Sequence, residues 1–411
     1  MSDPGALAAR LARNAVDVLP EGKLIDQLSG DRPLRVKLGI DPTAPDIHLG
    51  HTVVLTKLRE FQDAGHTVVL IIGDFTARVG DPSGRSAQRP VLDPEQIDAN
   101  ARTFTEQAFK VLDEDNTEVR FNSEWLRMPA EELFGLLGAA TVAQILERDD
   151  FSKRLQAGAP ISLLEMLYPV LQGYDSVAVE ADLELGGTDQ KFNLLFARDI
   201  QAARGRPGQS ILTMPILPGI DGVQRMSKSA GNYVGVTEAP EEMFGKLMRL
   251  PDEAMPEYFR LLVEPIEAGP ESVGAAETTQ GDAGEGAAMG WEQLPPNEAK
   301  RLLARTIVAR FWGRPEAEAA EEHFNRLFVR HEPPAEVEEL RVEPGAVVHL
   351  PALVADHFGL SRSEARRLLG QGGIRLDGEP LAADDLDVDS VRLDGKILQV
   401  GKRRYRRVRA G

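Results

Sequence analysis

Residues 35–72 read RVKLGIDPTAPDIHLGHTVVLTKLREFQDAGHTVVLII. The apolar spacing changes twice along this stretch, from a short run (Val36, Leu38, Ile40) to helical spacing (Val54, Leu58, Phe61) to a β-branched run from Thr67 to Ile72. This pattern predicts a strand, helix, strand unit. Both strands run into Gly- and Asp-rich turns, Gly39-Ile40-Asp41-Pro42-Thr43 and Gly73-Asp74-Phe75-Thr76, where an open parallel sheet holds its ligands beyond the strand ends. A further run, Ile211 to Leu217, stops at Pro218-Gly219 before a Ser/Lys loop. Alternation of this kind predicts an α/β fold, a doubly wound, Rossmann-like parallel sheet within a first domain of residues 1–235.

Outward from this unit the pattern changes. From Pro240 it becomes helical, with Leu303, Ile307, Phe311, Phe324 and Leu327 at helical spacing between Asn297 and Leu327, which predicts a helical domain at 236–335. Inside it, residues 267–290 are rich in Gly, Ala and acid with few apolar anchors, the composition of a flexible surface insertion. A second linker, His331-Glu332-Pro333-Pro334-Ala335-Glu336, precedes a third segment at 345–411. No internal repeat with a period of 20 to 50 residues is found.

Composition bounds the function. The 411 residues carry 47 Lys+Arg against 65 Asp+Glu, a formal net charge of -18, with 42% hydrophobic content, so disordered, collagen-like and disulfide-scaffold classes are excluded. The longest apolar run, Val68 to Ile72, falls far short of the roughly 18 to 20 residues of a membrane-spanning helix. The N-terminal stretch has no apolar core of a targeting signal, so a cytoplasmic location is expected. Zero Cys removes sulfur nucleophiles and thiolate metal ligands. The charge is uneven: residues 347–411 hold 12 Arg+Lys and 9 Asp+Glu, net +3, which leaves -21 for residues 1–346. Its last stretch, from Gly395 on, has Lys396, Lys402, Arg403, Arg404, Arg406, Arg407 and Arg409 with no acid, a density suited to phosphates, or alternatively a solvated basic tail.

His48-Leu49-Gly50-His51 lies where the first strand's loop turns into a helix, a helix N-terminus whose backbone N–H groups favour polyphosphate. The i, i+3 histidines also have metal-ligand spacing, but no third ligand or zinc-protease Glu accompanies them, and no metal site is expected. Gly80-Asp81-Pro82-Ser83-Gly84-Arg85 lacks the Gly spacing and Lys-Ser/Thr end of a phosphate-binding Walker A loop. Tyr168, Gln172 and Asp175, spaced 4 and 3, share one helix face and can line one pocket. A helix burying an aromatic with polar groups at its edge would read the same way. Ser361 and Glu364 have capping-box spacing, and Arg362, Arg366 and Arg367 share an exposed helix face suited to an RNA backbone.

The string from Asp41 to His51 resembles the first signature of class I aminoacyl-tRNA synthetases, and Arg225-Met226-Ser227-Lys228-Ser229 resembles their second. Within that class the chain from about Leu24 to Arg409 is similar to the bacterial-type tyrosyl-tRNA synthetases. The resemblance implies that an amino-acid carboxylate attacks the α-phosphorus of ATP and pyrophosphate leaves, with positioned cations stabilising the charge. His48, His51 and Thr43 would act on the phosphates, and Arg225 and Lys228 would close over pyrophosphate. Gly39, Asp41, Gly50, Gly187, Asp189 and Gln190 would surround ATP, as would Met226, Ser227 and Ser229. The tyrosine site would comprise Asp175 at the phenol, Tyr168, Gln172 and Asp81 near the ammonium, and Thr76 and Asn122 in support. Two departures stand out. Lys37 replaces a Tyr that many family members use as a second phenol contact and resembles another bacterial subgroup. Arg225 replaces the signature's first lysine, presenting a planar fork rather than a point charge.

Residues 361–378 resemble a small α+β RNA-binding module shared with a small-subunit ribosomal protein and pseudouridine synthases. Arg362, Arg366 and Arg367 with Lys402, Arg403, Arg404, Arg406 and Arg407 would meet RNA. The family further implies ATP as substrate with Mg2+ and no tightly bound cofactor, L-tyrosine and tRNA(Tyr) as partners, and a homodimer. Two alternatives remain at this point, an inactive RNA-binding regulator on the same fold and a related class I enzyme for another amino acid.

Overall fold

The structure, a computed structural model, describes residues 3–83, 93–264, 290–330, 337–401 and 404–411. Apart from Gly290, the insertion expected at 267–290 lies outside the described residues, as do the 331–336 linker, Lys402 and Arg403. The chain forms two compact units, Met1–Gly313 and Arg314–Gly411.

The first unit is built on six strands: β1 (Asp17–Leu19), β2 (Arg35–Ile40), β3 (Thr67–Ile72), β4 (Thr117–Phe121), β5 (Leu183–Gly187) and β6 (Ser210–Met214). Their order is β1-β6-β5-β2-β3-β4. All neighbours are parallel except the β1 edge, which runs antiparallel to β6. Val36 pairs with Val68 on one side and Leu183 on the other. Val68 to Ile72 are all buried, as befits a parallel strand covered on both faces. The chain leaves β2 toward β3 on one side and later returns to place β5 on the other, so a crevice opens at the carboxyl ends of β2 and β5. Among the helices are α1 (Leu49–Asp63), α2 (Pro94–Ala108), α3 (Leu163–Ala178) and α4 (Lys191–Ala203). The predicted strand at 211–217 ends at Met214, because Pro215 has no N–H for the ladder.

The helical pattern after Pro240 becomes helices Pro240–Leu247 and α5 (Pro296–Trp312), with Met243, Phe244, Leu303 and Ile307 buried. Arg310 on α5 donates to Thr56 Oγ1 on α1 at 2.7 Å. The periodic stretch 297–327 is not one helix. Gly313 adopts φ 93° and ends α5, a left-handed turn that favours glycine.

The second unit holds a five-stranded sheet and a two-stranded pair formed by β7 (Glu339–Val342), β8 (Val347–His349), β9 (Ile374–Leu376), β10 (Glu379–Pro380), β11 (Asp387–Asp389), β12 (Ile397–Val400) and β13 (Arg404–Ala410). The larger sheet runs β10-β9-β12-β13-β7. It packs with α6 (Leu350–Phe358) and α7 (Arg362–Gly370) around Leu350, Val354, Ala365, Leu369, Leu398 and Val408. The described part of the segment expected as a basic C-terminal tail therefore holds two strands, β12 paired with β13 and β13 with β7. Val408 supplies its buried anchor while the arginines stay at the surface or half-buried. No helix among the described residues is long and apolar enough to cross a membrane.

Candidate active site

A cleft enclosing about 1220 Å3 of non-protein space, its mouth included, lies at the crevice between β2 and β5. One wall is the end of β2 and the start of α1. Gly39, Asp41, Thr43, His48, Gly50 and His51 all line it. The N-terminal turn of α1 is pinned from outside, since Leu49 N donates to Val234 O at 2.9 Å and Val236 N to Ile47 O at 3.0 Å. The segment after the second signature thereby holds the first signature in place. The two imidazoles stack at 3.9 Å between centroids, and His48 N donates to His51 Nδ1 at 3.2 Å. Burial pushes His48 down to about 2, with His51 and Arg225 adding to it; burial and Arg225 push His51 down to about 4. Both rings are therefore neutral at physiological pH, each a hydrogen-bond donor and acceptor rather than a fixed cation. Gly50 permits this packing, because a Cβ there would sit 3.0 Å from the His48 ring.

The inner end of the cleft is a continuous hydrogen-bonded chain. Tyr168 OH donates to Asp41 Oδ2 at 3.0 Å. Thr76 Oγ1 donates to Asp41 Oδ1 at 2.7 Å, and Asn122 Nδ2 donates to Thr76 Oγ1 at 2.9 Å and to Asp175 Oδ2 at 3.4 Å. Asp175 Oδ1 accepts from Trp125 Nε1 at 2.8 Å. Tyr168, Gln172 and Asp175 all line the cleft from α3, with Thr76 and Asn122 beside them, as the 4 and 3 spacing predicts. Burial pushes the Asp175 carboxyl up to about 7 against the opposing effects of Lys37, Trp125 and Asn122. Burial, then Asp41, raises the Tyr168 phenol well above its usual range.

The opposite wall carries Gly187, Asp189, Gln190 and Asp81, with Arg225 and Met226 at its rim. Gln190 Nε2 donates to Asp81 Oδ2 at 2.9 Å. Arg225 pairs with Asp189 at 2.8 Å, and burial raises the Asp189 carboxyl despite that guanidinium. Lys228 pairs with Asp46 at 2.6 Å, a hydrogen bond that raises its ammonium pKa. The base of this loop is held by Asn232, which accepts from Ser227 N at 2.9 Å and donates to Asp221 at 2.7 Å.

Four expected site residues are not on the wall of the cleft. Ser227, Lys228 and Ser229 stand beyond its rim, and Lys37 lies behind it, fully buried. Lys37 Nζ reaches Ser176 Oγ at 2.7 Å and Glu184 Oε1 at 2.9 Å. In its place Glu184 lines the cleft. Sequence reasoning missed Glu184, Trp125, Asp46 and Asn232. A signal for the first was present, since an acid between Leu183 and Leu185 in a central strand demands a buried partner. Asp46 and Asn232 lie within or just after the two signatures, but their pairing with Lys228 and Ser227 is set by the fold, and Trp125 joins the site only by a tertiary contact.

In the second unit, Ser361 Oγ accepts from Glu364 N at 3.2 Å and caps α7. Arg362, Arg366 and Arg367 are all exposed on that helix. The β13 arginines are partly engaged within the unit: Arg404 donates to Phe358 O at 2.7 Å, Arg406 pairs with Glu338, and Arg407 donates to Gly395 O at 3.4 Å.

A nucleotide-sized crevice at the switch point of a parallel sheet, walled by HLGH at a helix N-terminus and rimmed by RMSKS, defines a class I aminoacyl-tRNA synthetase. Residues 29–329 match the family described as tRNA synthetases class I (W and Y), and the chain belongs to that family. It is 48% identical to the tyrosine--tRNA ligase of Moorella thermoacetica over 404 residues, 97% of this chain and 94% of that protein. The tyrosine--tRNA ligase of Thermotoga maritima is likewise 48% identical, over 98% of this chain and 96% of its own length. A solved tyrosyl-tRNA synthetase from Archaeoglobus fulgidus, complexed with L-tyrosine, shares the fold with a TM-score of 0.62 at 23% identity, covering 77% of this chain and 99% of that one.

Proposed function

We propose that the chain is a tyrosine--tRNA ligase of the bacterial type, joining L-tyrosine to tRNA(Tyr) at the expense of ATP. The observation that carries the choice of amino acid is the closed inner end of the cleft. There a buried carboxylate, Asp175, is oriented by Trp125 and Asn122 at the place a phenol would reach. A phenol hydroxyl donates to that carboxylate; phenylalanine leaves the carboxylate's remaining acceptor capacity unmet in a dry site. Near full-length similarity to tyrosine--tRNA ligases supports the same choice.

The tyrosine carboxylate attacks the α-phosphorus of ATP, the bond to the β-phosphate bridging oxygen breaks, and pyrophosphate departs with that oxygen. The terminal ribose hydroxyl of tRNA then attacks the adenylate carbonyl and AMP leaves. Neutral His48 and His51 donate hydrogen bonds to phosphate oxygens with Thr43, while Gly39, Asp41, Gly50, Gly187, Asp189 and Gln190 surround the nucleotide. Arg225 and Lys228 exchange their carboxylate partners, Asp189 and Asp46, for the departing pyrophosphate, with Met226, Ser227 and Ser229 shaping the loop. Asp81, Tyr168 and Gln172 take the ammonium. Magnesium enters with the polyphosphate of ATP. No protein nucleophile is required.

The RNA-facing role falls to residues 345–411, led by the exposed Arg362, Arg366 and Arg367 of α7, with Lys402, Arg403, Arg404, Arg406 and Arg407 adding charge. Function as a homodimer is supported by exposed apolar side chains between 134 and 164, among them Phe134 (68% exposed) and Leu163 (81%), an excess that calls for a covering surface. The cytoplasm is where this work is done. The test is Lys228→Ala: amino-acid-dependent pyrophosphate exchange should fall by orders of magnitude while tRNA affinity stays within about twofold. Exchange at the normal rate would remove Lys228 from the chemistry.

A further inference from the structure

Glu184 is 1% exposed and saturated with donors. Its Oε1 accepts from Lys37 Nζ at 2.9 Å and from Gln172 Nε2 at 3.2 Å. Its Oε2 accepts from Ser176 Oγ at 3.1 Å and from Gln209 Nε2. A carboxylate offers acceptors alone, so each neighbouring glutamine must turn its NH2 toward it. For Gln172, which lines the cleft, this leaves Oε1 buried and without a partner among the described residues. The reversed amide would set Gln172 Oε1 against Glu184 Oε1 at the same separation, two acceptors face to face. An unpaired buried acceptor on a cleft wall is costly until a donor arrives. Lys37 cannot be that donor, since its ammonium is committed behind the wall to Glu184, to Ser176 and, at 3.4 Å, to the backbone carbonyl of Gln172.

We propose that Glu184, held by Lys37, is a positioning residue that fixes the amide of Gln172 so that its carbonyl oxygen accepts a hydrogen bond from the substrate's ammonium group. Lys37 thus acts on the amino end of the substrate through Glu184 and Gln172 and makes no phenol contact of its own. This inference rests on the reading of the cleft as a tyrosine site. Its specific content is which end of the amino acid the Lys37 and Glu184 pair serves.

The variant Glu184→Gln alone strands a buried lysine and is at risk of misfolding. The double variant Lys37→Met with Glu184→Gln removes both charges and leaves the Gln172 amide free to turn, and its melting curve reports whether it folds. Two fragments separate the ends of the substrate: tyramine, which has the ammonium and phenol, and 3-(4-hydroxyphenyl)propionate, which has the phenol and carboxylate. In calorimetric titrations of the full-length protein, the double variant should bind tyramine about tenfold or more weakly, the loss of one charge-assisted hydrogen bond. Its affinity for the propionate should stay within about twofold, and its preference for tyrosine over phenylalanine in pyrophosphate exchange should be kept. Equal weakening of both fragments, unchanged tyramine binding in a folded variant, or loss of the phenylalanine discrimination would each overturn the proposal. Failure of the wild-type protein to exchange pyrophosphate with tyrosine would instead bring down the tyrosine reading, while the tyramine comparison would still judge the orientation of Gln172.

Discussion

Asp175 shows how one side chain couples recognition to stability. Burial favours its neutral acid in the folded protein, with a carboxyl pushed up to about 7 from 3.8, so the native state holds that proton more tightly than the unfolded chain does. Stability associated with this group is present below about pH 4 and is lost as pH rises through about 7. Melting temperatures measured from pH 4 to pH 8 should therefore fall for the wild type relative to Asp175→Asn; parallel curves would contradict the burial. The phenol needs the ionised form as acceptor, so KM for tyrosine should rise as pH drops below about 7, and this trend should vanish in Asp175→Asn. The histidines behave differently. Because His48 and His51 are already neutral, a neutral donor can replace one, and His51→Asn should keep more adenylate-forming activity than His51→Ala, a difference read in single-turnover rates. At this scale the sequence was legible wherever a motif kept polar residues together, as in HLGH and RMSKS. It was silent on Trp125 and Asn232, whose partners lie 50 and 5 residues away and whose residue types have ordinary structural uses. Lys37 was legible only through the family resemblance, and its direction was set by Glu184, on the neighbouring strand.

Strand ends position the chemistry at the scale of elements. Gly73 follows β3 and faces Asp41; a Cβ there would lie 2.0 Å from Asp41 Oδ1 and 2.4 Å from Thr76 Oγ1. Gly73→Ala should break the Thr76 to Asp41 hydrogen bond, destabilise the protein by about 1–3 kcal/mol, and raise KM for tyrosine, as thermal melts and exchange kinetics would show. Unaltered kinetics would mean that the inner chain of hydrogen bonds does not shape the cleft. The strand, helix, strand unit of 35–72 could be read from its periodicity because β2, α1 and β3 each obey one clean spacing. The end of β6 at Met214 and the break after α5 were set by Pro215 and Gly313, single residues that override an otherwise continuous apolar pattern. Strand β13 hid for a related reason: four arginines among its seven residues obscure the buried Val408 that ties it into the sheet.

Across the whole molecule, the uneven charge assigns work to parts. An acidic body binds nucleic acid only where cations are concentrated, and the exposed arginines of α7 are such a place. A cut after Gly313 follows the boundary between the compact units, whereas a cut after Glu343 would leave β7 without its partner β13. Residues 1–313 should retain tyrosine-dependent pyrophosphate exchange and lose most tRNA charging, measured side by side with the full chain; loss of both would tie the chemistry to the second unit. Leu163→Glu places a charge on the exposed apolar surface and should shift the sedimentation mass toward one chain, if that surface joins two copies.

The central claim is tested most directly by pyrophosphate exchange with ATP, run with tyrosine, phenylalanine and tryptophan in parallel on the wild type and Asp175→Ala. Exchange with tyrosine alone, lost or relaxed toward phenylalanine in the variant, is the predicted result. Exchange driven by tryptophan, or by none of the three, would contradict the account.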